Sequence, residues 1–130
     1  MTTFHHAHLM SADADAAVGF YRRWLDATVV ADTHLAGSRS LLLQVGSGRL
    51  SLYDQAPNQR GPLNHLGFAV QDLPTLVGRM QAGGVSIPGG VKEADMFRYA
   101  MVSGPDGLLL ELFEFDPERT PPPLREFYCG

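Results

Sequence analysis

Two stretches of this chain open in the same way. His6-Ala-His-Leu-Met-Ser-Ala-Asp13 and His65-Leu-Gly-Phe-Ala-Val-Gln-Asp72 are short apolar runs, each starting at histidine and closing on aspartate seven residues later. Behind each comes an amphipathic pattern: Ala16, Ala17, Phe20, Tyr21, Trp24 and Leu25 in the first, Leu73, Leu76, Val77 and Met80 in the second. That spacing predicts a helix in both places. Asp13 and Asp72 stand where N-caps belong, and Pro74 falls in a first turn, where its missing N–H costs nothing. Strand-like runs follow each helix: Thr28 to His34, Ser40 to Val45 and Arg49 to Asp54, then Gly84 to Pro88, Phe97 to Val102 and Leu108 to Phe115. Gly46-Ser-Gly48 and Gly104-Pro-Asp-Gly107 supply turns between them. The chain therefore reads βαβββ twice. One module covers about residues 4–54 and the other about 64–115, with a linker over 55–63 and a tail over 116–130. Pro117 and Pro121 to Pro123 predict that the tail begins as an extended arm.

Strand alternation decides which side chains meet, because residues i and i+2 share a face. His6 and His8 point together, as do His65 and Gly67. Ser51 and Tyr53 share a face of the fourth strand. On the last strand Leu109, Glu111 and Phe113 lie on one face, and Leu110, Leu112 and Glu114 on the other. If the modules pair as repeats, His6 matches His65 and Ser51 matches Glu111, so four positions converge on one cup. His5 is expected to point away from it, and Glu114 to be a solvated or capping charge.

The duplicated unit, the His-to-Asp spacing, Phe20-Tyr21 and Gly104-Pro-Asp-Gly-Leu-Leu-Leu-Glu111 resemble the vicinal oxygen chelate superfamily. That group holds glyoxalases, epimerases, fosfomycin-resistance enzymes, extradiol dioxygenases and bleomycin-resistance binding proteins. The resemblance runs over about residues 4–115. It implies one glyoxalase-like α+β domain over residues 1–130, its two βαβββ modules forming a curved, partly open mixed-sheet cup. It also implies that the four converging positions are the metal positions. His6, His65 and Glu111 are good ligands, and Ser51 is a poor one where glyoxalase-like members carry a carboxylate or amide. Two imidazoles and one carboxylate on one side of a metal form the facial triad of non-haem Fe(II) oxygenases. The expected cofactor is one divalent ion per site, Fe(II) first, with Mn, Ni or Zn as alternatives.

His8 shares the cup face with His6 but stands about 6–7 Å farther along the strand, far for a shared ligand. An imidazole there suits proton transfer, since a neutral ring nitrogen can accept a proton; a structural hydrogen bond or a plain substrate contact is the alternative. Tyr53, Tyr99, Met101 and Phe113, with Ser51, are candidates to line the cup and bind substrate, against ordinary core packing. Lys92, Asp95 and Arg98 read as a solvated rim.

The expected function is that of a mononuclear Fe(II) dioxygenase. It would cleave or rearrange an aromatic or quinone-like substrate with vicinal oxygens, using O₂, in secondary metabolism such as antibiotic biosynthesis. Any reductant the reaction needs, such as reduced flavin, would be a diffusible co-substrate, since no glycine-rich dinucleotide fingerprint is present. The alternatives are a non-redox metal enzyme (a glyoxalase, isomerase or fosfomycin thiol transferase) and a protein that binds an aromatic drug. Met101 stands where both the fosfomycin transferases and the extradiol dioxygenases carry tyrosine, and Lys92-Glu-Ala-Asp-Met-Phe97 replaces the transferases' Ser/Gly-rich loop; in a dioxygenase Tyr99 and His8 would serve instead. A homodimer is expected, His6 from one chain meeting His65 and Glu111 of the other, with Phe127 and Tyr128 anchoring the tail across the partner or on the cup rim.

Composition narrows the partners. At 130 residues, with 45% hydrophobic and 18% charged residues, the chain can bury a core and is not disordered. A net charge of −4 without a basic run argues against nucleic acid. No apolar run approaches the ~20 residues of a membrane helix, and no signal-like segment opens the sequence, so a cytoplasmic location is expected. The lone Cys129 can form neither an internal disulfide nor a thiolate cluster.

Overall fold

Alternating apolar and polar positions build two four-stranded sheets. The computed structural model describes residues 5–35, 37–57, 63 and 65–129, the side chain of residue 35 excepted. Residue 4 of the first expected module, 58–62 of the linker, 64 at the start of the second module and 130 of the tail lie outside the described residues. The chain divides into two compact units, Met1–Pro62 and Leu63–Gly130. The first holds β1 (Ala7–Met10), α1 (Ala14–Leu25), β2 (Thr28–Leu35), β3 (Ser38–Val45) and β4 (Gly48–Tyr53). The second holds β5 (Leu66–Ala69), α2 (Leu73–Ala82), β6 (Lys92–Glu93), β7 (Phe97–Ser103), a 3₁₀ turn at Pro105–Gly107, β8 (Leu109–Phe115) and α3 (Leu124–Cys129).

The sheet orders are β1-β4-β3-β2 and β5-β8-β7-β6. In each unit the first strand pairs parallel with the last, and the remaining pairs are antiparallel. Each sheet buries one face. In the first unit, Leu41, Leu43, Leu50 and Leu52 are buried together with Ala17, Val18, Tyr21, Trp24 and Leu25 of α1. In the second, Ala100, Val102, Leu110 and Leu112 are buried with Leu73, Val77 and Met80 of α2. Burying a leucine or valine fully is worth about 1.5–3 kcal/mol, so this separation of faces fixes the register. On α1 the buried stripe is set by Ala14, Ala17 and Val18; Ala16, expected inward, is exposed and Phe20 is half-buried against Tyr21. Arg39 of β3 clamps the same unit by pairing with Asp15 of α1 at 3.0 Å and Asp32 of β2 at 2.9 Å. Its guanidinium hydrogen bonds hold both carboxyls below the ordinary aspartate range.

Three local expectations are corrected. No strand forms at 84–88. Gly84 takes φ +89° just past the helix, the Val85 N–H closes on the Met80 carbonyl at 2.9 Å, and Pro88 has no N–H for a ladder. The short β6 takes the edge place at Lys92–Glu93 instead. Asp13 caps α1 as expected, accepting from the Ala16 N–H at 3.0 Å. Asp72 does not cap α2: it sits at φ 51°, and its side chain makes no cap bond. Glu114 does that work from β8, accepting from the N–H groups of Asp72 at 2.7 Å and Leu73 at 3.4 Å. Asp54, just beyond β4, accepts from the Ala14 N–H at 3.4 Å in the first unit. Finally, the tail carries a helix, α3, rather than remaining an extended arm.

Glu114→Ala is expected to lower stability by about 1 kcal/mol in urea unfolding. Asp72→Asn keeps a residue tolerant of the left-handed region and removes no cap, so it should change stability by less than about 0.5 kcal/mol. The reverse order would place the cap on the wrong residue.

Candidate functional site

The face of each sheet turned away from its helix carries the candidate site residues. In the first unit His8 stands opposite Ser51 and Met10 opposite Tyr53. In the second, Gly67 stands opposite Glu111 and Ala69 opposite Phe113. The two ladders are thus built alike: His8 corresponds to Gly67, Ser51 to Glu111, and Tyr53 to Phe113. His6 lies just before β1 and His65 just before β5, so those two also correspond. From the neighbouring strands, Leu42 stands opposite Ser51 and Met101 opposite Glu111. Ser40 faces Tyr53, and Tyr99 faces Phe113.

Side chains at corresponding places differ in an instructive way. The His8 and Tyr53 rings meet edge to face, with centroids 4.1 Å apart at 88°. In the second unit the ring of Phe113 occupies that room, and a Cβ on Gly67 would lie 3.3 Å from Phe113 Cε1. A cavity of about 460 Å³ opens on the first unit's face, lined by His5, His6, His8, Ser51 and Tyr53 among others. His5 was expected to point away. Instead its Nδ1 lies 3.0 Å from Nδ1 of His6, with the rings edge to face at 5.2 Å. One of these nitrogens must donate and the other accept. Alternation failed there because β1 begins only at Ala7; ahead of it the backbone has no ladder to enforce a face. The cluster His5-His6-Ala7-His8 was the available signal for a third histidine.

The second unit's face is aromatic around Glu111, which is half-buried. Phe97 stacks on Phe115 at 4.6 Å and lies 5.6 Å from Tyr99. Tyr128 of α3 stacks on Phe115 at 4.3 Å and 9°, and meets Phe113 edge-on at 5.8 Å. The tail thus returns to the sheet of its own unit, through Tyr128; Phe127 is 79% exposed. Arg98, expected on a solvated rim, donates to Glu114 at 2.6 Å.

A paired first and last strand, repeated, with metal-binding residue types at matched places, is the arrangement of a known group. The Glyoxalase family model, described as the Glyoxalase/Bleomycin resistance protein/Dioxygenase superfamily, matches residues 3–112. The chain belongs to this superfamily. Solved structures agree on the fold. SMU.1112c superposes with a TM-score of 0.73 at 26% identity, covering 88% of this chain and 99% of that one. A glyoxalase family protein from Enterococcus faecalis gives 0.70 at 25% identity, covering 87% and 98%. A variant of the fosfomycin resistance protein FosX from Listeria monocytogenes, complexed with Mn(II) and 1S,2S-dihydroxypropylphosphonic acid, gives 0.77 at 17% identity, covering 92% and 96%. No curated protein sequence matches the chain.

Within this glyoxalase-superfamily chain the sequence-derived residues distribute by unit. His6, His8, Ser51 and Tyr53 belong to the first; His65, Tyr99, Met101, Glu111 and Phe113 belong to the second. Among the described residues, no three His, Cys, Asp or Glu side chains stand together as a metal-holding group. The donor types do fit a divalent ion: neutral imidazole and carboxylate suit Fe, Mn, Ni and Zn, and β8 turns Glu111 to the face away from α2. No helix among the described residues is long and apolar enough to cross a membrane.

Tyr128→Ala removes one stacked and two edge-on ring contacts; the two that tie α3 to the sheet, with Phe115 and Phe113, are together worth about 1 kcal/mol. Amides of α3 should then exchange with deuterium about fivefold faster, while those of α2 keep their protection. Unchanged exchange in α3 would show that the helix is held by something else.

Proposed function

We propose that this chain is a metal-dependent oxygenase of the superfamily, its centre held by His6, His65 and Glu111. Fe(II) is the proposed ion, and the proposed substrate is an aromatic or quinone-like molecule with two vicinal oxygens. The observation that carries this reading is the matched register: imidazoles precede both first strands, and of the two matched last-strand positions only Glu111 is a carboxylate. With serine at the other, the donor set is two histidines and one carboxylate, which leaves about three coordination positions open. When bound, the ion would act as a Lewis acid toward the vicinal oxygens and bring O₂ beside the activated ring. Ring cleavage places both oxygen atoms in the product and needs no outside reductant; a rearrangement that does need one would draw on reduced flavin.

The chain's own side chains supply the rest. His8, across the ladder from Ser51, accepts the proton of a substrate hydroxyl at an imidazole nitrogen. Its edge-on contact with Tyr53 limits the ring orientations open to it. Ser51 offers a hydroxyl to a substrate oxygen. Tyr53, Tyr99, Met101 and Phe113 provide flat apolar surface that excludes water. A second reading, a non-redox metal enzyme, draws support from the fold shared with the Mn(II) complex of FosX.

Anaerobic reconstitution with Fe(II), Mn(II), Ni(II) or Zn(II), followed by oxygen-electrode traces on catechols and hydroxynaphthoquinones with and without reduced flavin, separates these readings. Oxygen uptake confined to the iron form is expected; turnover without oxygen would favour the second reading. His65→Ala and Glu111→Ala should lose both metal and activity. His8→Ala should keep the metal and turn over at least about a hundredfold more slowly. Loss of metal in the His8 variant would contradict its assigned role.

The proposed assembly is a homodimer whose two centres each take His6 from one chain and His65 with Glu111 from the other. The donors lie on separate compact units of the chain, which permits such sharing. Size-exclusion with light scattering should give about 28 kDa, twice the 14.2 kDa chain. Mixing unfolded His6→Ala and Glu111→Ala chains and refolding them should restore metal at about a quarter of all sites, because each mixed dimer rebuilds one intact centre. Centres closed within single chains would restore none.

A further inference from the structure

The cavity of the first unit contains a permanent positive charge that the proposed metal chemistry does not use. On β4, Arg49, Ser51 and Tyr53 follow one another at every second residue and so share the face away from α1. Arg49 lines the 460 Å³ cavity with the three histidines. Among the described residues its guanidinium has no ion-pair partner, whereas Arg39 and Arg98 are both paired with carboxylates. No carboxylate lines the cavity. Gln44, directly opposite Arg49 in the ladder, donates its side-chain N–H to the Gly46 carbonyl at 3.1 Å, which turns that group toward the hairpin. The remaining walls are apolar. Leu42 stands across from Ser51, and Val30, 63% exposed, lies where the β2–β3 register shifts between Val29 and Ala31. A bulge of this kind re-aims a side chain, and here the bulged residue lines the cavity.

A cavity with apolar walls and one unneutralised guanidinium selects by charge as well as shape. An Arg fork binds an oxyanion through two parallel N–H donors, in a geometry that a neutral ether oxygen cannot match. We infer that Arg49 is a specificity-determining residue that selects aromatic ligands bearing an ionised oxygen, a phenolate, enolate or carboxylate, over their neutral counterparts. This inference rests on the reading of this face as the substrate site. It does not depend on which metal is bound or whether oxygen is consumed.

The test is calorimetric titration of the intact 130-residue chain with two probes of nearly equal shape at pH 7.5. One is 2-hydroxy-1,4-naphthoquinone, an anion at that pH; the other is its neutral methyl ether, 2-methoxy-1,4-naphthoquinone. The wild type should bind the anion about tenfold more tightly, with most of that preference surviving EDTA. Arg49→Gln should bind both probes alike, and Arg49→Lys should recover part of the preference. Arg49 is exposed, so both variants should melt with the wild type. Equal affinities in the wild type, an undiminished preference in Arg49→Gln, or a preference that EDTA abolishes would each overturn the inference, the last by assigning it to a bound metal. The oxygen traces are a separate readout: a failed charge preference leaves them standing, and a failed oxygen trace leaves the charge preference standing.

Discussion

The parallel pairing of the first strand of each unit with its last is the constraint on which the site depends. A strand shows its two faces with a period of two, so slipping this pairing by one residue would exchange every side chain between core and solvent. In register, Leu110 and Leu112 are buried beneath α2 and Glu111 is turned away from it. Out of register, a carboxylate would enter the core and two leucines would leave it. The cost of burying an unpaired charge, several kcal/mol after relaxation, excludes that alternative. The energy that fixes the fold thereby also chooses which residues are presented for chemistry.

The same strands position the helices. Asp54 follows β4 and Glu114 lies near the end of β8, and each reaches the first N–H groups of its own unit's helix. A carboxylate next to a helix N-terminus satisfies donors that have no partner in the helix, and it sits at the positive end of the helix dipole. Glu111 and Glu114 are three residues apart on one strand and therefore serve opposite faces. The first faces away from α2, and the second joins sheet, helix and Arg98. The units then diverge in what they place above the shared ladder. The first leaves a cavity with histidines and a guanidinium, and the second fills the space with stacked rings closed by Tyr128.

Much of this was legible in the sequence because it follows from periodicity. The repeated His-to-Asp spacing, the amphipathic helices, and the opposite faces of Glu111 and Glu114 all come from counting positions, and the strand runs at 28–34, 40–45, 49–54, 97–102 and 108–115 formed with ends shifted by one or two residues. What was not legible depended on partners far along the chain or on backbone outside a ladder. Asp72 has the composition of a cap, but the cap comes from a residue 42 positions later. Gly84 to Pro88 has apolar alternation but a left-handed glycine and a proline, and local chain reversal prevailed. His5 turned toward His6 because no strand pairing constrained it, and α3 formed past a proline run. Arg49 could have been found by the alternation that identified Ser51 and Tyr53, since it stands two residues before Ser51 on the same strand.

X-ray absorption of the iron-loaded protein is the most direct test, because it reports the atoms bound to the ion without reference to turnover. In the wild type two imidazole nitrogens among oxygen donors are expected; His65→Ala, which loses the metal, should retain no imidazole-bound iron. A spectrum with oxygen donors alone, or one that is unchanged by that substitution, would contradict the claim that the matched strand register assembles the centre.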